Sequence, residues 1–91
     1  MKPLIISDHA RFEMGRRQIP EETVRQVALA PEQVVSSRKG REIRQSRIRD
    51  DVQGRDALLR VVIEERRDTL VVVTAHRTSK VEKHWQPEGE P

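Results

Sequence analysis

The sequence predicts an α+β fold, with two N-terminal helices packed on one face of a mainly antiparallel sheet of about four strands. Three observations carry this expectation. Up to Pro31 the apolar residues recur at helical spacing, and beyond it they gather into short β-branched runs. The joints between those runs are short and rich in turn residues, which suits an antiparallel meander. The helices precede the strands instead of alternating with them, the order of an α+β domain.

The first helix starts at Ser7 or Asp8, either of which can cap the opening turn with a side-chain oxygen, and runs to about Arg17. At 100° per residue His9, Ala10, Glu13, Met14 and Arg17 form one face. Ala10 and Met14 make its apolar half, and His9, Glu13 and Arg17 form a polar stripe at its border. Phe12 falls on the opposite side, where it is expected to cover another part of the fold.

The segment "QIPEETVRQVALAPE" is a second helix. Pro20 suits a helix start, Glu21 and Glu22 complement the positive end of the helix dipole, and Ile19 and Val24 are spaced to staple the entry. Val24, Val27 and Ala28 give the core stripe, and Pro31 ends the helix by disfavouring helical geometry before it.

Strand candidates follow at "EQVVSS", "REIRQSRIR", "ALLRVVIEE" and "TLVVVTAH", joined by "RKG", "DDVQGRD" and "RRD". Ile43 and Ile48 have opposite alternation parity, which predicts a bulge or a break near Gln45 to Arg47. Leu70 to Val73 is apolar on both faces and so belongs in a central strand. "TSKVEKHW" closes the fold as a helical turn capped by Thr78 or Ser79.

Length and composition bound the rest. Ninety-one residues suit a single domain, set here at 1–86, with a flexible tail at 87–91. Hydrophobic residues make up 34% and charged residues 36%, close to the border of disorder, but the apolar residues are clustered enough to build a sheet. With no cysteine, disulfide frameworks and thiolate metal sites are excluded. No apolar run approaches membrane-spanning length, and the N-terminal apolar stretch is too short for a signal peptide, so a cytoplasmic location with no membrane partner is expected.

The net charge of +3 is a weak signal, but its distribution is informative. Between Arg38 and Arg49 six basic residues face the single acid Glu42. Two readings stay open for this strip. It neutralises a polyanion, as Lys and Arg do when they displace counterions from phosphates, or it is an edge strand protected from aggregation by its charges.

"HARFEMGRRQIPEETV", "LLRVVIEE" and "TLVVVTAHRTSKVEKHW", in that order and spacing, resemble a family of small bacterial proteins catalogued as domain of unknown function 4258. The resemblance runs from about His9 to Trp85 and picks out His9 and Arg17 as motif positions. More distantly, that family resembles the RelE/ParE-type toxins, several of which are metal-independent ribonucleases. This wider resemblance implies a site on the sheet face and C-terminal segment, with loose positional matches to Arg60, His76, Arg77, Lys80 and His84. The C-terminal tyrosine of those toxins has no counterpart, because this chain contains no tyrosine.

Metal-free RNA cleavage needs a base for the 2′-hydroxyl, a cation for the phosphorane and an acid for the leaving oxygen. His9, His76 and His84, with Arg77, are the candidate catalytic groups, since histidine titrates near neutrality. Arg17, Arg44, Arg47, Arg60 and Lys80 are the candidate RNA or phosphate contacts. Arg77, Lys80 and His84 would share a face if the tail were helical. For His9 and Arg17 the alternative is a structural clasp through Glu13 or a backbone carbonyl. Trp85 is read as core cover.

No metal site or cofactor is expected: the histidines lack helical pairing, Asp50 and Asp51 have no histidine nearby, and no phosphate-binding glycine loop occurs. Two function classes remain. One is an endoribonuclease toxin or RNA-binding protein acting on RNA or the ribosome, with an acidic antitoxin as partner. The other is a non-catalytic module that binds an acidic protein by adding a strand to its basic edge strand. Oligomeric state is left open.

Overall fold

The computed structural model describes residues 1–51 and 53–87. Apart from Pro87, the expected tail lies outside the described residues. The elements in chain order are β1 (Leu4–Ile6), α1 (Asp8–Arg17), α2 (Glu21–Leu29), β2 (Gln33–Ser36), a 3-10 turn (Arg38–Gly40), β3 (Arg41–Asp50), β4 (Arg55–Glu65), β5 (Leu70–Thr78) and α3 (Val81–His84). Among the described residues no helix is long and apolar enough to cross a membrane.

Both long helices form for local reasons. Ser7 accepts the Ala10 N–H at 3.1 Å and caps α1, and Gln18 ends that helix in the left-handed region at φ 57°. Pro20 opens α2, and Ile19 and Val24 are both buried in the core as a staple across its entry. Glu21 holds Arg25 one turn along at 2.9 Å and also pairs with Arg11 of α1.

The fold is α+β, but the sheet has five strands instead of about four, and it is mixed. Its order is β1-β5-β4-β3-β2, with β1 parallel to β5 and the other pairs antiparallel. The unexpected strand is "LII". Three residues behind a proline give too short a periodic signal, and the strand exists because β5 pairs with it and Ile6 reaches the core. That pairing gives β5 a neighbour on each side at Leu70–Val72, and Val71 and Val72 are buried.

The bulge or break expected near Gln45 to Arg47 is not there. β3 pairs with β4 without a break from Arg41–Glu64 to Asp50–Arg55. The irregularity lies between β4 and β5 instead, where Val62 faces Thr74 and Ile63 faces Val72, leaving Val73 as the extra residue. Ile43 and Ile48 differ in parity because each face of β3 has apolar contacts of its own. Ile48 packs on the core beneath the helices, and Ile43 sits between Val35 and Val62 on the other face.

The core lies between α1, α2 and the sheet, built from Ala10, Met14, Val24, Val27 and Ala28 against Leu59, Val61, Ile63, Val72 and Ala75. Phe12 covers nothing there and is 65% exposed. Over Glu42–Gln45 the strip is not an edge strand, since β3 there runs between β4 and β2, whereas Ser46–Asp50 pair with β4 and have no strand partner in β2. α3 begins after Lys80 with no side-chain cap, and Thr78 instead accepts the Lys80 N–H at 3.1 Å. Arg77 stays in β5 and Lys80 precedes α3, so the two do not share a helical face with His84.

Candidate functional site

Strand register assembles a feature that no contiguous stretch of sequence contains. Gln33 pairs with Gln45, Gln45 with Arg60, and Arg60 with His76, a row across β2, β3, β4 and β5. Directly paired residues present their side chains on the same face. Leu59, Val61 and Ile63 alternate with Arg60 and enter the core, so the row occupies the face away from α1 and α2.

The C-terminal segment crosses this face and is tied to the row. The Gln45 amide donates to Gln33 Oε1 at 2.8 Å and to the His84 carbonyl at 3.1 Å. Gln33 donates to the Gln86 carbonyl at 2.6 Å and accepts the Gln86 N–H at 3.0 Å. Gln45 Oε1 accepts Arg60 Nε at 2.9 Å, and Arg60 Nη1 lies 3.0 Å from His84 Nδ1. A guanidinium can only donate, so Nδ1 accepts and the neutral His84 ring carries its proton on Nε2. Gln45 is fully buried and bonded through both ends of its amide, which fixes Arg60 and His84 relative to each other.

Electrostatics set this cluster apart from an ordinary surface. Burial and then the Arg60, Arg17 and His84 charges lower the His76 pKa below its usual 6.5. Burial and then Arg60, Lys83 and Lys80 do the same to His84. Burial also pushes the Arg60 guanidinium down from its usual range. Two neutral imidazoles thus flank one partly desolvated cation at neutral pH. Beside them the Arg47 guanidinium lies over the Trp85 ring, 4.4 Å from its centroid.

The remaining candidates are placed elsewhere. Arg77 points to the helix side, where it donates to the Arg17 carbonyl at 2.8 Å and the Gln18 carbonyl at 3.4 Å and lies 3.5 Å from the buried Asp50 carboxylate. It therefore clamps the C-terminus of α1, where bare carbonyls attract a cation. Arg44 does the same for α2, donating to the Ala28 carbonyl at 2.6 Å while pairing with Glu42 at 2.6 Å. Arg17 donates to the Ala75 carbonyl at 2.8 Å and pairs with buried Glu13 at 2.8 Å, and Arg16 holds the same carboxylate at 2.6 Å. These contacts keep the Glu13 carboxyl below the usual carboxylate range.

His9 is exposed and makes no hydrogen bond among the described residues; its contribution is a weak electrostatic one to Glu13. Lys80 is exposed. The stripe on α1 is thus a clasp of Glu13 and Arg17 onto β5, with His9 outside it. The basic strip is also largely paired: Arg41 with Glu64 at 3.2 Å, Arg47 with Glu32 at 3.3 Å and Arg49 with Asp56 at 3.5 Å. Among the described residues no three His, Cys, Asp or Glu side chains gather to hold a metal ion.

The structure therefore brings together Arg60, His76 and His84, with Arg47 alongside and the Arg17 charge within electrostatic reach of His76, and separates them from His9, Arg44 and Arg77. Sequence reasoning missed Gln33 and Gln45, whose meaning depends wholly on register. A family model described as domain of unknown function (DUF4258) matches residues 6–77. The match takes in Gln33, Gln45, Arg60 and His76 and ends before His84 and Trp85. No curated protein and no solved structure matches the chain.

Proposed function

The chain belongs to the family described as domain of unknown function (DUF4258), and we propose that it engages RNA through the open face of its sheet as a metal-independent endoribonuclease. The observation that carries this reading is the Arg60 guanidinium held between Gln45 Oε1 and His84 Nδ1, with His76 paired beside it. A cation flanked by two imidazoles is the minimal equipment for phosphodiester transfer to a neighbouring hydroxyl. The resemblance to RelE/ParE-type toxins adds RNA as the polyanion.

In this reaction Arg60 donates to a non-bridging phosphate oxygen. Neutral His76 accepts the 2′-hydroxyl proton as the 2′-oxygen bonds to phosphorus. The bond to the 5′-oxygen breaks and His84, in its imidazolium form, protonates that oxygen. The products are a 2′,3′-cyclic phosphate and a 5′-hydroxyl, and no water is consumed. Phosphate between Arg60 and His84 favours the imidazolium that the acid step needs.

The test is incubation of the purified chain with single-stranded RNA in EDTA. Cleavage to cyclic-phosphate ends is expected. The same oligonucleotide with a deoxyribose at each cut position is expected to stay intact, because the attacking hydroxyl is gone. Absence of cleavage on RNA and on translating ribosomes alike would overturn the enzymatic reading.

A further inference from the structure

Beside the polar row lies an open groove of about 430 Å³ lined by Arg47, Val81, Glu82, Trp85 and Pro87. Its wall is mainly apolar, formed by the indole of Trp85, with Val81 and Pro87. Arg47, fixed by Glu32 at 3.3 Å, lies over the indole and holds the ring as a firm surface. Glu82 is exposed and makes neither a hydrogen bond nor an ion pair among the described residues, unlike the paired carboxylates Glu13, Glu32 and Glu64.

The groove adjoins the proposed phosphate site through neighbouring residues. Trp85 follows His84 in the chain, and Arg47 lies two residues beyond Gln45 on the same face of β3. Two residues of strand span about 7 Å, which is within the reach of one nucleotide. Aromatic and guanidinium surfaces hold bases by stacking, whatever their identity. A carboxylate adds identity, because it accepts only from base N–H groups. Guanine presents two adjacent N–H donors on one edge, and uracil presents one between two carbonyls.

We infer that this groove is a nucleobase subsite that prefers guanine, taking the base next to the phosphate at Arg60, with Trp85 as its stacking wall and Glu82 as its acceptor. The inference rests on the RNA reading for the neighbouring phosphate, but its own test needs no cleavage. Trp85 is the single tryptophan, so its fluorescence reports on the groove alone.

The full chain is titrated with guanosine 3′-monophosphate, guanosine, uridine 3′-monophosphate and inorganic phosphate, with equilibrium dialysis of labelled guanosine as a second readout. Saturable binding of guanosine 3′-monophosphate is expected, roughly tenfold or more tighter than that of the uridine nucleotide, as for a good two-bond base contact. Glu82→Gln is expected to bring the two within about threefold of each other while both still bind, since stacking survives. Arg60→Gln is expected to weaken both nucleotides and leave guanosine itself unchanged.

A chain that cuts or binds RNA through Arg60 yet shows no guanosine binding by either readout overturns the subsite and leaves the RNA reading standing. Guanosine binding that survives Glu82→Gln with its preference over uridine intact overturns the role of Glu82. Guanosine binding in a chain that never cuts RNA supports the subsite and removes the ribonuclease reading instead.

Discussion

Gln45 is the residue on which the site depends most. It touches no substrate in the proposed reaction, but its amide carbonyl orients Arg60 and its NH2 holds the backbone of His84. Gln45→Leu fills similar volume, leaves Arg60 Nε and the His84 carbonyl without their partner, and is expected to lower stability by about 1–3 kcal/mol. Gln45→Glu keeps an acceptor for Arg60 and loses the donor to the carbonyl. It is expected to weaken phosphate binding, because the added carboxylate neutralises Arg60, and to loosen the C-terminal segment, effects that binding assays and amide exchange at Trp85 can read. The two histidines predict a pH profile. With both pKa values below 6.5, base and acid forms coexist on the acid side, so kcat/KM for RNA should peak below pH 6.5. A maximum above neutrality would contradict these assignments. The same shift affects stability: unfolded His76 binds its proton more readily than folded His76. Stability is therefore full above 6.5 and declines as pH falls through the folded value.

At the scale of elements, the helices were legible in the sequence because their signals are local. Ser7, Pro20 and the Ile19–Val24 staple each act within one turn, and each occupies its expected place. The polar stripe His9, Glu13 and Arg17 was visible too, but periodicity could not say what it meets. The answer is the Ala75 carbonyl of β5, a contact 58 residues away. Register is equally non-local. The pairings that line up Gln33, Gln45, Arg60 and His76 join residues at least 12 apart, and nothing in the composition of "REIRQSRIR" reveals them. Alternation by itself also left Arg44 and Arg77 as phosphate or catalytic candidates, whereas both grip helix C-termini. Arg77→Ala is expected to cost about 2 kcal/mol by removing a charged hydrogen-bond partner from the α1 carbonyls, measured by urea unfolding. Its RNA cleavage per folded molecule should stay within about twofold of the parent, because the open face is untouched.

For the molecule as a whole, the two faces of the sheet divide the work. The helix side carries the core and spends its arginines on helix ends, and the other side gathers a polar row beneath a C-terminal segment that supplies His84 and Trp85. Net charge concealed this division. The basic strip that dominates the sequence is mostly neutralised by Glu32, Glu42, Asp56 and Glu64, so the cation that matters is Arg60 in the next strand. Partner arginines hold Glu13, Glu21, Glu32 and Glu64 below the usual carboxylate pKa, so the unfolded chain binds protons more readily at low pH. These ion pairs support the fold above pH 4.5 and are lost as pH falls below it. The most direct test of the division compares RNA cleavage in EDTA by Arg60→Gln and Arg77→Gln, each normalised to its folded fraction. Loss of about 10²-fold or more in Arg60→Gln, with Arg77→Gln near the parent rate, is the predicted result. Equal losses in both, or full activity in Arg60→Gln, would contradict a site on the open face.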